Sequence, residues 1–123
     1  MKTSRSTLTV WRGVTFLYMA ALMLASLPPK IIPGDPTLLK EIFHNSLHVP
    51  AYTLLTLLIW KSWNRFSLPV IAGLSFAYSL LNEIIQRFVP GRTASLSDAA
   101  LNGLGVGLAL VMINTTFKNG TRR

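Results

Sequence analysis

The chain has no cysteine in its 123 residues. That excludes a disulfide framework, thiolate metal ligands and a cysteine nucleophile. It is also short of charge: Asp, Glu, Lys and Arg together make 13%, about half of what a soluble domain carries. Acids are scarcest, with only Asp35, Glu41, Glu83 and Asp98. Charge this thin cannot solvate the surface of a globule. Half the residues are hydrophobic and the mean hydropathy is +0.45, so the class is membrane protein, with length for a single domain over 1–123. The net charge of +8 and pI of about 10.7 would point to nucleic acid in a soluble protein. In a membrane protein basic residues encode orientation instead, and no nucleic-acid partner is expected.

Four apolar stretches predict an all-α membrane protein with four transmembrane helices, at about 10–27, 46–63, 68–86 and 98–117. A span needs about 20 residues, with roughly 17 as the short limit. The second stretch reaches that only if Asn45, Ser46 and the residues from Lys61 to Trp63 extend it as helix. Four such segments cannot all be buried inside so small a soluble protein. Pro28-Pro29 ends the first helix, and Pro33-Gly34-Asp35-Pro36 continues an irregular stretch. Residues 37–43 then read as a short interfacial helix, with Leu38, Leu39, Ile42 and Phe43 on one face and Lys40 and Glu41 on the other. Lys61 to Ser67 is a polar turn, and Pro90-Gly91 makes a tight one. Ser95 and Ser97 are candidate N-caps of the last helix, with Asp98 completing a capping-box-like pattern after Ser95. The N-terminal apolar run is not read as a cleaved signal, because Met23 stands where a small residue is wanted and prolines follow Ala25-Ser26.

Basic residues sort by side. Lys2, Arg5, Arg12, Lys61, Arg65, Lys118, Arg122 and Arg123 fall on one; Lys30, Lys40, Arg87 and Arg92 fall on the other with all four acids. The positive-inside rule puts both termini in the cytoplasm. Trp11, Trp60 and Trp63 group at the same interface. The charge at that face also suits contact with anionic lipid.

Polar groups inside a span are costly and call for an explanation. His48 and Tyr52 share a face at the outer end of the second helix. Glu83, Gln86 and Arg87 stand at the outer end of the third, Asp98 and Asn102 at the outer start of the fourth, and Arg92 lies in the loop between. Each has a simpler role: Asp98 as a first-turn acid, Glu83 and Arg87 as an ion pair, Tyr52 as a belt aromatic, Asn102 as an interhelical hydrogen bonder. Their convergence in one layer points to a polar pocket. Gly103 and Gly107 have the small-xxx-small spacing of close helix packing. Gly103 to Gly107 is no phosphate loop, since no strand precedes it and no Lys follows.

These residues also carry a family resemblance. Glu83, Gln86, Pro90-Gly91-Arg92, Ser95 with Asp98, and Asn102 with Gly105 are similar to the signature of the VanZ-like family, and His48 with Tyr52 resembles its His-x-x-x-Tyr/Phe element. The likeness runs over about 43–107. Where many members have Asp-Lys before the His, this chain has His44 and Asn45. The resemblance implies a small bacterial polytopic membrane protein of the cell envelope, in a family named for a member associated with teicoplanin resistance. It implies that Glu83, Gln86, Arg92, Asp98 and Asn102 matter, but not which chemistry they serve. Three readings follow. The pocket binds an anionic amphiphile, either a lipid-linked cell-wall intermediate or a lipoglycopeptide, with Arg92 pairing to phosphate or carboxylate. Alternatively the chain is an intramembrane hydrolase or transferase with Glu83 or His48 as base, or a non-catalytic scaffold. No catalytic residue is assigned, no cofactor is called for, and His44, His48, Glu83 and Asp98 lack the spacing of a metal motif. Membrane lipids are expected partners, and homo-oligomerisation is left open.

Overall fold

The computed structural model describes residues 3–27, 45–90 and 96–120. Four helices carry the fold: α1 (Arg5–Ser26), α2 (His48–Ser62), α3 (Leu68–Gln86) and α4 (Leu96–Gly120), with no strand among the described residues. The expected interfacial helix at 37–43 lies outside those residues, as do Arg92 and Ser95.

Helix bounds depart from the sequence reading where the helix outruns its apolar run. α1 starts at Arg5 rather than 10, behind Ser4 in extended backbone (φ −58°, ψ 148°). Its first turn is polar but still helical, and the Thr9 hydroxyl donates back to Arg5 O at 3.0 Å. α3 has the expected bounds, with extended Ser67 before it and Pro69 in its first turn, where a missing N–H costs nothing. α4 starts at Leu96, which puts Ser97 inside the first turn rather than at the cap, and Asp98 in the acid-favouring first turn.

α2 is the larger correction. It has 15 residues, not the expected 18, because Leu47 is a turn residue that separates Asn45 and Ser46 from it. At about 1.5 Å per residue it falls short of a hydrocarbon core about 30 Å thick. α1, α3 and α4 are each long and apolar enough to cross a membrane.

α2 is nonetheless the hub. It packs against α1, α3 and α4, whereas α1 and α4 do not touch among the described residues. Tyr52, Leu55 and Ile59 from α2 form the apolar core with Ile71 and Tyr78 of α3. Around that core the usual partition is reversed. Among the described residues eleven polar or charged side chains are buried beside nine hydrophobic ones, while Leu17, Phe88, Leu96 and Leu104 are all at least 60% exposed. Apolar outside and polar inside is how helices pack in lipid, where oil-like solvent gives no drive to bury Leu.

Small polar groups therefore tie the helices. Thr15 Oγ1 of α1 and Ser62 Oγ of α2 lie 2.6 Å apart, both fully buried. The Tyr18 hydroxyl donates to Ala51 O at 2.9 Å, and the Tyr78 hydroxyl donates to Met19 O. Between α2 and α4 the Thr53 hydroxyl reaches Gly105 O at 3.0 Å. Here the close approach falls at Gly105, not at the expected pair. A Cβ on Gly105 would collide with Val49 O and stand 3.1 Å from Thr53 N. One on Gly103 would only touch the Phe76 ring at 3.5 Å, and one on Gly107 would meet nothing within 4 Å. Among the described residues nothing uses the packing role expected of Gly107.

The bundle has two unlike ends. At one, Lys61 stacks on Trp11 (4.9 Å), Arg12 on Trp63 (5.7 Å), and Trp60 meets Phe117 edge-on. These contacts put the start of α1, the end of α2 and the end of α4 together, with the three tryptophans grouped as expected. The opposite end holds the polar cluster.

Candidate functional site

Helix direction builds the site. The end of α1, the start of α2, the end of α3 and the start of α4 all arrive at the same end of the bundle, and each brings one polar stripe. On α2, His48 and Tyr52 are one turn apart. On α3, Ser79, Asn82, Glu83 and Gln86 follow the three-and-four spacing of a single face and are all buried. On α4, Asp98 and Asn102 begin the stripe that Gly105, Val106, Ala109 and Ile113 continue inward.

Two hydrogen-bonded chains cross the four helices. In the first, the Ser26 hydroxyl donates to Asn82 Oδ1 (2.8 Å), and Asn82 Nδ2 donates to the Tyr52 hydroxyl oxygen (3.2 Å). In the second, His48 Nδ1 and Asn102 Oδ1 are 2.8 Å apart, and Asn102 Nδ2 donates to Ser79 Oγ at 2.8 Å. Because the Asn102 amide nitrogen is spent on Ser79, its oxygen must accept from His48. Nδ1 therefore carries the proton, and in the neutral ring Nε2 is the basic nitrogen. Asn102 is fully buried, so this orientation is fixed by packing as well as by bonding.

A cavity of about 160 Å³ opens between α1, α2 and α3. Its polar wall is Ser26, His48, Tyr52, Asn82 and Gln86, and its apolar wall includes Leu22, Leu47 and Ala51. Gln86 is only 4% exposed, and its carboxamide spends no hydrogen bond on the described residues. Its side chain lines the cavity, where a bound group could pair with the amide. Of the residues expected in a site, His48, Tyr52 and Gln86 line this cavity. Asn102 joins it through His48. Glu83 and Asp98 are buried at the same end, 7% and 5% exposed, but are not in the cavity wall. Among the described residues no three of His, Cys, Asp or Glu gather as a metal site.

Sequence reasoning missed Ser26, Ser79 and Asn82 as parts of the site. Ser79 was open to discovery: it continues the Asn82–Gln86 stripe by one turn. Ser26 carried no such signal, because a serine before two prolines reads as a helix end.

The model of the VanZ/LLP1 family matches residues 4–117. No curated protein and no solved structure matches this chain.

Proposed function

The chain belongs to the VanZ/LLP1 family, and from that premise we propose that it is a membrane-embedded binding protein for the headgroup of an anionic amphiphile. The ligand class is a lipid-linked cell-wall intermediate or a lipoglycopeptide. The setting is the cytoplasmic membrane of a bacterium, with both termini in the cytoplasm and the cavity in the outer leaflet. α2 acts as a fourth span, its short length tolerated because the other helices surround it.

One observation carries this reading: the cavity joins the Gln86 side chain and the Asn102-bonded His48 to an apolar wall. At about 160 Å³ it is smaller than the roughly 300 Å³ of the smallest drug-sized sites. It suits a headgroup fragment, with the tail left in hydrocarbon beside exposed Leu47. Arg92, six residues beyond Gln86 in sequence, supplies the cation that such an anion requires.

Native mass spectrometry of detergent-extracted protein tests this. Wild type should retain an added lipid-linked cell-wall precursor, and Gln86→Leu and Arg92→Ala should each lose about tenfold or more, in line with about 1.5–3 kcal/mol for a charge-assisted hydrogen bond. Equal retention by both variants, at unchanged melting temperature, sinks the proposal. A scaffold role predicts instead that the variants fall in abundance.

A second reading has a specific observation behind it. The Asn102–His48 bond holds an imidazole at the cavity wall, the kind of group that hydrolysis or transfer on a lipid-linked substrate would use as a base. Headgroup release by purified protein, abolished in His48→Gln, would favour it over binding alone.

A further inference from the structure

The far end of the bundle holds a second, chemically different cleft. It measures about 420 Å³ and lies between the first turns of α1 and the turn after α2. Arg5, Arg12 and Arg65 line it, with Trp63, Leu8 and Phe66. Three guanidinium groups in one cleft repel one another, and nothing within the cleft compensates them. Among the described residues the acids are Glu83 and Asp98, both at the opposite end.

Arg12 is held in place. Its Nε donates to Ser62 O at 3.3 Å, and its Cζ lies 5.7 Å from the Trp63 ring. Its two terminal nitrogens spend no hydrogen bond on the described residues. A fixed guanidinium with its fork unspent is a preorganised receptor for a tetrahedral or planar oxyanion. The rim is apolar: Phe66 is 44% exposed, and Phe16, one turn deeper than Arg12 on the same face of α1, is 58% exposed and edge-on to Trp63. A free inorganic ion gains nothing from that rim, whereas a glycerolipid lays its first methylenes on it.

We propose that the Arg5–Arg12–Arg65 cleft binds the phosphate of an anionic membrane phospholipid, with its chains descending past Trp63 and Phe16. The site is separate from the cavity at the opposite end and does not depend on what that cavity binds.

The probes are phosphatidylglycerol and phosphatidylcholine of the same chain length, added to detergent-solubilised protein and read by native mass spectrometry. Wild type should retain phosphatidylglycerol at least about tenfold over phosphatidylcholine. The triple variant Arg5→Gln/Arg12→Gln/Arg65→Gln should lose that preference, each arginine being worth about fivefold near a membrane surface. Arg12→Lys, which keeps charge but not the fork, should fall between them. Excess inorganic phosphate should not displace the lipid; full displacement would assign the cleft to a free anion and overturn the proposal. So would equal retention of the two lipids, or a preference that survives the triple variant. If the triple variant does not fold, Arg65→Gln alone, at an exposed turn position, should still cost about fivefold, and no loss there overturns the proposal. Headgroup binding at Gln86 is read on the same protein, so failure of one site leaves the other standing.

Discussion

Asn102 and Gly105 stand one turn apart on α4 and answer to different demands. Asn102 is a fully buried amide that satisfies two partners, His48 and Ser79. Asn102→Leu keeps roughly the volume but strips a bond from each of them. It should destabilise the protein by about 1–3 kcal/mol, seen as a lower melting temperature in detergent, and Asn102→Gln should not restore it because the longer chain overfills the site. At Gly105 the demand is steric. An added methyl runs into the backbone of α2 at Val49, and a backbone oxygen cannot swing aside as a side chain can. Gly105→Ala should therefore cost about 1–3 kcal/mol by overpacking. Gly107→Ala, facing open space, should be neutral or gain up to the roughly 0.5–1 kcal/mol by which Ala exceeds Gly in a helix. Comparable losses at both glycines would mean that the 107 face packs against something other than the described residues.

Among the elements, α1 and α2 show what hydropathy can and cannot reveal. The apolar runs locate four helices because period and composition act locally. They locate α3 to the residue, since extended Ser67 and Pro69 mark its start. They misplace the start of α1 and both ends of α4, where the helix continues into residues beyond the apolar run, and both ends of α2, where it stops short at turn residues Leu47 and Trp63. Which face of each helix turns inward was legible for Asn82–Gln86 and Asp98–Asn102, where polar residues recur at three and four. It was not legible for α1, whose inward face is marked by a single buried residue, Thr15. No pattern can be read from one threonine; its partner Ser62 is 47 residues away. The chain's lack of cysteine makes this pairing directly testable. The double variant Thr15→Cys/Ser62→Cys should cross-link on mild oxidation, since the two hydroxyl oxygens are 2.6 Å apart and the chain holds no competing thiol. A mobility shift on gels after reduction reads it out. Failure to cross-link in the folded protein would displace α1 from α2.

At the scale of the whole molecule, charge and polarity are sorted end to end. Arg5, Arg12, Lys61 and Arg65 gather with the tryptophans, while Glu83, Asp98 and the hydrogen-bonded chains gather opposite. Ring contacts at Trp63 and Trp60 bring the start of α1 and the end of α4 to the basic end, which agrees with a proposed topology of an even number of crossings. Three helices meet the length for a span, and an odd count cannot return the chain to its starting side. On the topology proposed above α2 crosses as well, although 15 residues reach only about 22 Å at 1.5 Å per residue. The burial of α2 among the other three resolves the conflict: a helix sheltered by protein need not match the full hydrocarbon thickness, and its ends can be met by polar residues and water. By the positive-inside rule the proposal places the basic end in the cytoplasm. Reporter fusions decide it. Alkaline phosphatase fused at the C-terminus or in the turn after Trp63 should be inactive, and a fluorescent protein at the same points bright. Alkaline phosphatase fused after Pro90 should be active. Activity after Trp63 with inactivity after Pro90 would invert α2 and α3, and with them the side on which the His48–Gln86 cavity opens.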